Sequence, residues 1–133
     1  MAAWSDWYNQ LIKPAWTPPG STIGLIWTII YPLIILSLGL VISQHVAGKI
    51  KFRTLLPFIL NLFFNLAFTP IQFGLRNLPL AMIDILLVWF TILWSIISIW
   101  PTSKLVVILQ LPYLLWVTIA TYLQSFITLN NSS

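Results

Sequence analysis

Three carboxamide side chains occur at helical spacing within an otherwise apolar stretch of the sequence. Asn61, Asn65 and Gln72 stand at positions i, i+4 and i+11, which lie on one face of an α-helix. If this stretch crosses a membrane, these groups must face protein, a cavity or water, because lipid offers them no hydrogen bond. They could bond to a neighbouring helix, which contributes about 1 kcal/mol for each bond, or they could contact a ligand. For Asn65 the sequence favours neither role over the other.

Asp84 is the only acidic residue within an apolar stretch. It belongs to a narrow polar stripe on one helical face, together with Thr91, Ser95 and Ser98. A carboxylate inside a membrane suggests a functional site by default. However, no second carboxylate accompanies it for acid–base catalysis. We therefore expect a structural role near the membrane interface, where Asp84 is partly hydrated and bonds to a helix end or pairs with Lys13 or Arg76.

The residues that several kinds of site require are missing from this sequence. It has no cysteine, and His45 is its only histidine, so a cluster of metal ligands is missing. Gly-rich phosphate-binding motifs and a Ser–His–Asp set are missing as well. The six basic residues are scattered and do not form a patch for nucleic acid. We expect no metal site, no nucleic-acid partner and no hydrolytic activity.

Tryptophan is over-represented, with eight residues in the chain. Those at positions 4, 7, 16 and 100 can be explained as anchors at the boundary between water and lipid. The others, Trp27, Trp89, Trp94 and Trp116, lie further inside the apolar stretches. If the helices of Trp27 and Trp116 face a common interior, the two rings could clamp a flat aromatic ligand by stacking. The alternative, which periodicity does not exclude, is that they pack in a bundle or face lipid.

The composition indicates the elements that hold these side chains. The chain is 59% hydrophobic and only 6% charged, whereas about a quarter of the residues of a soluble domain are charged. The apolar residues are grouped in runs long enough to cross about 30 Å of hydrocarbon as helices. We predict an all-α fold, a polytopic transmembrane bundle in a single domain over residues 1–133, with four spanning helices over 22–43, 54–73, 79–100 and 104–128.

Local signals indicate where these helices begin and end. Ser21 or Thr22 can cap the first helix, and Pro57 and Pro79 are tolerated in the first turns of the second and third. The polar tail over 130–133 is expected to fray. Four spans bring both termini to one side. The loops after the first and third helices hold four basic residues against two on the other side, which places these loops in the cytoplasm.

Residues 1–20 form a segment rich in aromatic residues and proline. Pro14, Pro18 and Pro19 prevent a continuing helix. The rings of Tyr8 and Trp16 prefer the boundary between water and hydrocarbon. We predict a rigid aromatic loop at the end of the bundle, which forms the lid or wall of a binding site.

A series of motifs spans nearly the whole chain. It consists of Trp7-Tyr8, Leu11, Lys13-Pro14, Trp16, Pro18-Pro19, Trp27, Tyr31, Asn61, Asn65, Thr69-Pro70, Phe73-Gly74-Leu75-Arg76, Ala81 to Asp84, Pro112-Tyr113, Trp116, Ala120 and Leu123. In order and spacing it resembles the signature of the TspO/MBR family. These are the tryptophan-rich sensory proteins, which include the translocator proteins or peripheral-type benzodiazepine receptors.

The resemblance implies a membrane bundle of five helices that is commonly dimeric. The first family helix precedes the Trp-Tyr motif, but here six residues precede Trp7. We therefore expect four helices with that first helix absent, either because the sequence starts late or because this is a true four-helix member. Other departures are Phe68, Gln72 and Gln124, where the family often has Trp, Phe and Asn. No basic residue follows Tyr122, so the cholesterol motif of the animal proteins is not expected.

The resemblance also implies a function. It is that of an integral membrane receptor or sensor, which binds a porphyrin (tetrapyrrole) or a similar flat hydrophobic ligand in a pocket among the helices, under the N-terminal loop. By motif position, the pocket would include Tyr8, Pro18, Trp27, Tyr31, Asn65, Trp116 and Ala120. Porphyrin would be the ligand, and no cofactor is expected.

Two alternatives to a receptor stay open from the resemblance. One is a light-dependent porphyrin-degrading enzyme, in which tryptophans are the reactive or electron-donating partners, and the other is a transporter of porphyrin or lipid. The implied partners are a lipid bilayer, a hydrophobic aromatic small molecule and a second copy of the chain. The start at Met1 without a transit peptide, together with the short loops, indicates a bacterial plasma membrane.

Overall fold

Four long helices make up most of the computed structural model, which describes residues 10–131. They are α1 (Gly20–Val46), α2 (Phe52–Thr69), α3 (Leu78–Ile99) and α4 (Lys104–Asn131), and a π-helical turn over Pro70–Gly74 continues α2. Residues 10–131 contain no strand. Each of the four helices, α2 with its π-turn, is long and apolar enough to cross a membrane. The predicted all-α bundle of four spanning helices is therefore confirmed.

The helices form a ring in chain order. Helix α3 packs against α2 and α4, and α1 closes the ring by contacting both α2 and α4. In the interior, Ile30 and Ile34 of α1 meet Ile92 of α3 and Val117 of α4. Lipid is as apolar as these side chains, so close packing and hydrogen bonds between helices hold such a bundle together.

The outer surface of the bundle is apolar on every helix. Large exposed side chains include Leu25, Ile35, Phe63, Ile83, Phe90, Ile97, Ile108 and Leu115. A soluble monomer rarely exposes contiguous apolar surface on this scale. These side chains are therefore in contact with the hydrocarbon of the bilayer.

The start of α1 differs from the prediction. The helix begins at Gly20, directly after Pro19, and no side chain caps its first turn. The prediction that Ser21 or Thr22 caps this helix is therefore wrong. Pro19, at φ −58° and ψ 153°, gives the chain the extended geometry that a residue before a helix adopts.

The starts of α2 and α3 differ in part from the prediction. Because α2 begins at Phe52, Pro57 lies inside the helix and not in its first turn. Pro79 does lie in the first turn of α3, as predicted. The sequence analysis missed the cap of α3, in which the side-chain oxygen of Asn77 accepts a hydrogen bond from the Leu80 amide at 3.1 Å.

The end of α4 is tied to the N-terminal segment. The side-chain amide of Asn131 donates to the Ile12 carbonyl and accepts from the Ile12 amide, both at 2.9 Å. The rings of Trp16 and Tyr122 lie 5.8 Å apart between centroids. The prediction of a frayed tail is therefore wrong for residues 130 and 131, and residues 132–133 lie outside the described range. These contacts bring residues 10–19 to the end of the bundle where α4 ends.

Candidate ligand-binding site

A cavity of about 460 Å³ lies among the four helices. It occupies the half of the bundle where α1 begins and α4 ends, and its wall is mostly apolar. Its size and its apolar lining are typical of sites for small molecules. All four helices contribute, with Trp27 and Tyr31 from α1, Asn65 from α2, Val88 from α3, and Trp116 and Ala120 from α4.

The structure brings most of the predicted site residues together. The cavity wall includes Trp27, Tyr31, Asn65, Trp116 and Ala120. Pro18 is half-buried in the segment before α1 and does not line the cavity. Tyr8 lies outside the described residues. None of residues 10–19 lines the cavity. The part of the predicted lid that the structure describes therefore does not form the cavity wall. The first wall residue in chain order is Gly20, where α1 begins.

The two inner tryptophans do not form the predicted clamp. The rings of Trp27 and Trp116 meet edge to face, with centroids 6.4 Å apart and planes at 84°. A flat ligand sandwiched between two rings needs them parallel and about 7 Å apart, twice the usual contact distance between carbon atoms. A ligand in this cavity can therefore stack on one of the two rings and meet the other at its edge.

Asn65 links three helices through its side-chain amide. The Tyr31 hydroxyl of α1 donates to Asn65 Oδ1 at 2.9 Å, and Asn65 Nδ2 donates to the Tyr113 hydroxyl of α4 at 2.7 Å. Asn65 and Tyr113 are buried. Asn65 thus bonds between helices, and because it also lines the cavity its contact with a ligand stays a prediction. The sequence analysis named Tyr113 only within a motif and did not identify it as the partner of Asn65.

Asn61 makes an equivalent link between α2 and α3. Its Nδ2 donates to the Val88 carbonyl at 3.1 Å and to Thr91 Oγ1 at 3.0 Å. The asparagine face of α2 therefore points into the bundle, as its spacing predicts. Both asparagines hold the cavity wall in place by fixing the helices that form it.

Comparison with known proteins identifies the family. The sequence model of the TspO/MBR family matches residues 1–129. The chain belongs to the TspO/MBR family. It is 44% identical to the tryptophan-rich protein TspO of Bacillus cereus over 117 residues, which are 88% of this chain and 75% of that protein.

More distant relatives agree with this assignment. The chain is 30% identical to the tryptophan-rich sensory protein of Cereibacter sphaeroides over 116 residues (87% of this chain, 71% of that protein). It is 31% identical to the human translocator protein over 120 residues (88% and 70%). This TspO/MBR chain is an integral membrane protein, and its bacterial relatives fit a location in the plasma membrane.

The other inner tryptophans of the TspO/MBR chain lie away from the cavity. Trp89 donates from Nε1 to Thr118 Oγ1 at 2.9 Å, which joins α3 to α4. Trp94 is 42% exposed on the outer surface. For these two residues the alternative interpretation, packing in the bundle or contact with lipid, is the one that the structure supports.

Asp84 is buried within the bundle and does not line the cavity. The expectation that it is partly hydrated is therefore wrong, because neighbouring helices cover it. Its Oδ2 has no hydrogen-bond partner among residues 10–131, and its pairing with Lys13 or Arg76 stays a prediction. Within those residues, no group of three or more His, Cys, Asp and Glu side chains could hold a metal ion.

Gln72 belongs to the cavity wall although the sequence analysis did not count it among the site residues. It is buried, and Gln124 of α4 lines the same cavity. The available signal was its spacing of seven residues from Asn65, which places both on one helix face. For the carboxamides of this face, the sequence analysis left open whether they bond to a neighbouring helix or contact a ligand.

Proposed function

We propose that this TspO/MBR protein is a membrane receptor that binds a porphyrin, or a similar flat hydrophobic molecule, in the cavity among its four helices. The observation that supports the proposal most directly is the wall of the cavity. It combines aromatic rings from α1 and α4 with small residues that leave space beside them. A flat aromatic molecule gains both from stacking on such rings and from leaving water.

The small residues of the wall support a ligand of this shape. Ala120 lies one helical turn from Trp116 and lines the cavity. On α1, no heavy atom lies within 4 Å of the position that a Cβ on Gly24 would take. Gly24 and Ala120 therefore leave space in the cavity wall near the two tryptophans. The names of two relatives, a sensory protein and a translocator protein, fit a protein that recognises a small molecule.

Replacing either cavity tryptophan by phenylalanine is expected to weaken binding of protoporphyrin IX. Trp27→Phe and Trp116→Phe each reduce the ring surface that contacts the ligand, which should raise Kd about fivefold. The measurement is a titration in detergent, in the dark, followed by the absorbance of the porphyrin. Absorbance is preferred to tryptophan fluorescence because the substitutions change the number of fluorophores.

Trp94→Phe is the matched control, because Trp94 faces outward and does not line the cavity. Its Kd should equal that of the wild type. Absorbance changes that never saturate, and that are equal in all four proteins, would mean that the porphyrin only partitions into the micelle. That result would overturn the proposal.

A further inference from the structure

The exposed residues of the cavity wall, within the described part of the chain, lie on α1 and α2. They are Gly20 and Gly24 of α1 and Thr69 of α2. The wall residues of α3 are buried, and those of α4 are buried except Ala120, which is half-buried. The cavity is therefore closed on the side of α3 and α4. The gap that Gly20, Gly24 and Thr69 border is its lateral opening.

The packing of α1 against α2 explains where this gap lies. In the half of the bundle away from the cavity, Val41 of α1 belongs to one apolar cluster with Leu55 of α2. Nearer the cavity, the hydrogen bond from the Tyr31 hydroxyl to Asn65 Oδ1 joins the two helices. Beyond this bond they separate, and no Cα atom of α1 lies within 8 Å of a Cα atom of the π-turn over Pro70–Gly74.

The two glycines keep the α1 side of the lateral opening free of side chains. No heavy atom of the described residues lies within 4 Å of the Cβ position of either Gly20 or Gly24. Small residues in membrane helices usually allow a second helix to approach closely, but here the space beside them is not filled by a described helix. A glycine inside a helix costs up to about 1 kcal/mol relative to alanine. An open path to the cavity gives the glycine at position 24 a function.

The surroundings of the lateral opening are those of lipid and not of water. Gly24 lies four residues inside α1, about 6 Å from the start of the helix. Leu25, which follows it, is 61% exposed, and Leu66, one turn before Thr69 on α2, is 58% exposed. The Thr28 hydroxyl donates to the Gly24 carbonyl at 2.8 Å, so this exposed polar group is satisfied without water.

We propose that ligands enter the cavity from the hydrocarbon of the bilayer through the lateral opening, and that lipid acyl chains contact Gly24 there when no ligand is bound. An apolar molecule leaves water when it dissolves in the membrane, so it reaches this opening already dehydrated. The inference goes beyond the proposed function, because it concerns the route into the cavity and holds for any apolar ligand that fits.

A nitroxide spin label at Gly24 tests the lateral opening without any ligand. The chain has no cysteine, so Gly24→Cys provides a single attachment site, and the open space there accommodates the label. The protein is reconstituted in phosphatidylcholine vesicles. Power saturation then measures collisions of the label with oxygen, which is enriched in hydrocarbon, and with a nickel chelate, which stays in water. We expect frequent collisions with oxygen and few with the chelate.

Labels at two other positions calibrate this measurement. Leu25→Cys reports hydrocarbon at nearly the same depth, and Lys49→Cys, exposed in the loop after α1, reports water. The Gly24 label should behave like the label at position 25. Collisions with the chelate as frequent as at position 49 would show that the opening leads to water. A label shielded from both reagents would show that the opening is closed, and either result would overturn the inference.

The Thr28→Trp variant tests passage through the lateral opening. Thr28 is exposed on the same face of α1 as Gly24 but does not line the cavity. An indole ring there narrows the opening without filling the site. Association and dissociation of protoporphyrin IX should each slow about tenfold, with Kd unchanged, because crowding on the path raises the barrier equally in both directions. Stopped-flow absorbance measures both rates in vesicles.

Gly39→Trp is the matched control for Thr28→Trp. Gly39 is exposed on the other half of α1, with open space at its Cβ position, so the indole ring meets lipid. Its two rates should equal those of the wild type. Wild-type rates in Thr28→Trp would show that the ligand takes another route. If porphyrin does not bind saturably to the wild type, the proposed function fails, whereas the label at Gly24 still decides whether the cavity opens to lipid.

Discussion

The Ala120→Phe variant should bind protoporphyrin IX about a hundredfold more weakly than the wild type. Ala120 is half-buried and lines the cavity. A phenyl ring at this position would occupy part of the 460 Å³ that the ligand needs. Forcing a ligand and an extra ring into one site costs about 3 kcal/mol, which corresponds to a factor of about a hundred in Kd.

Ile119→Phe provides the control for Ala120→Phe. Ile119 is the preceding residue of α4 but is 38% exposed on the outside of the bundle, so the added bulk meets lipid or detergent. This variant should bind like the wild type. Melting temperatures should stay close to that of the wild type for both variants. Normal porphyrin binding by a folded Ala120→Phe protein would show that the ligand does not occupy this cavity.

The Asn65→Ala variant should lose about 2 kcal/mol of stability. The substitution removes the hydrogen bonds to Tyr31 and Tyr113, and each bond between helices in a membrane contributes about 1 kcal/mol. It also leaves the buried Tyr113 hydroxyl without this partner. The effect should appear in an equilibrium unfolding titration in mixed micelles, followed by circular dichroism.

Asn130→Ala is the comparison for Asn65→Ala. Asn130 is exposed and donates only to the Phe126 carbonyl of its own helix among the hydrogen bonds described. Its removal should change the free energy of unfolding by about 0.5 kcal/mol or less. If Asn65→Ala unfolds at the same denaturant concentration as the wild type, the chain of bonds from Tyr31 to Tyr113 does not hold the bundle together.

The number of helices and the inward face of α2 were predictable from the sequence. The apolar runs are long enough to span a bilayer, and this requirement alone fixes four helices within narrow limits. The spacing of Asn61 and Asn65 correctly predicts an inward face, because a carboxamide in lipid has no partner. The same spacing does not show which carboxamides bond to other helices, since this depends on which residues of α1, α3 and α4 reach them.

Features set by local backbone geometry and by packing were not predictable. Pro70 indicates the end of a regular helix, but the π-turn over Pro70–Gly74 that continues α2 was not predicted. Helix periodicity did not show whether Trp27 and Trp116 meet, and the angle of 84° between their rings is set by side-chain packing. The ordered end of α4 depends on Asn131 meeting Ile12, two residues far apart in the sequence.

A crystal structure of the protein with protoporphyrin IX would test most directly whether the cavity is a porphyrin site. The expected result is a single porphyrin among the four helices, stacked on Trp27 or Trp116. A porphyrin bound only on the outer, lipid-facing surface, with the cavity unchanged, would contradict the proposal.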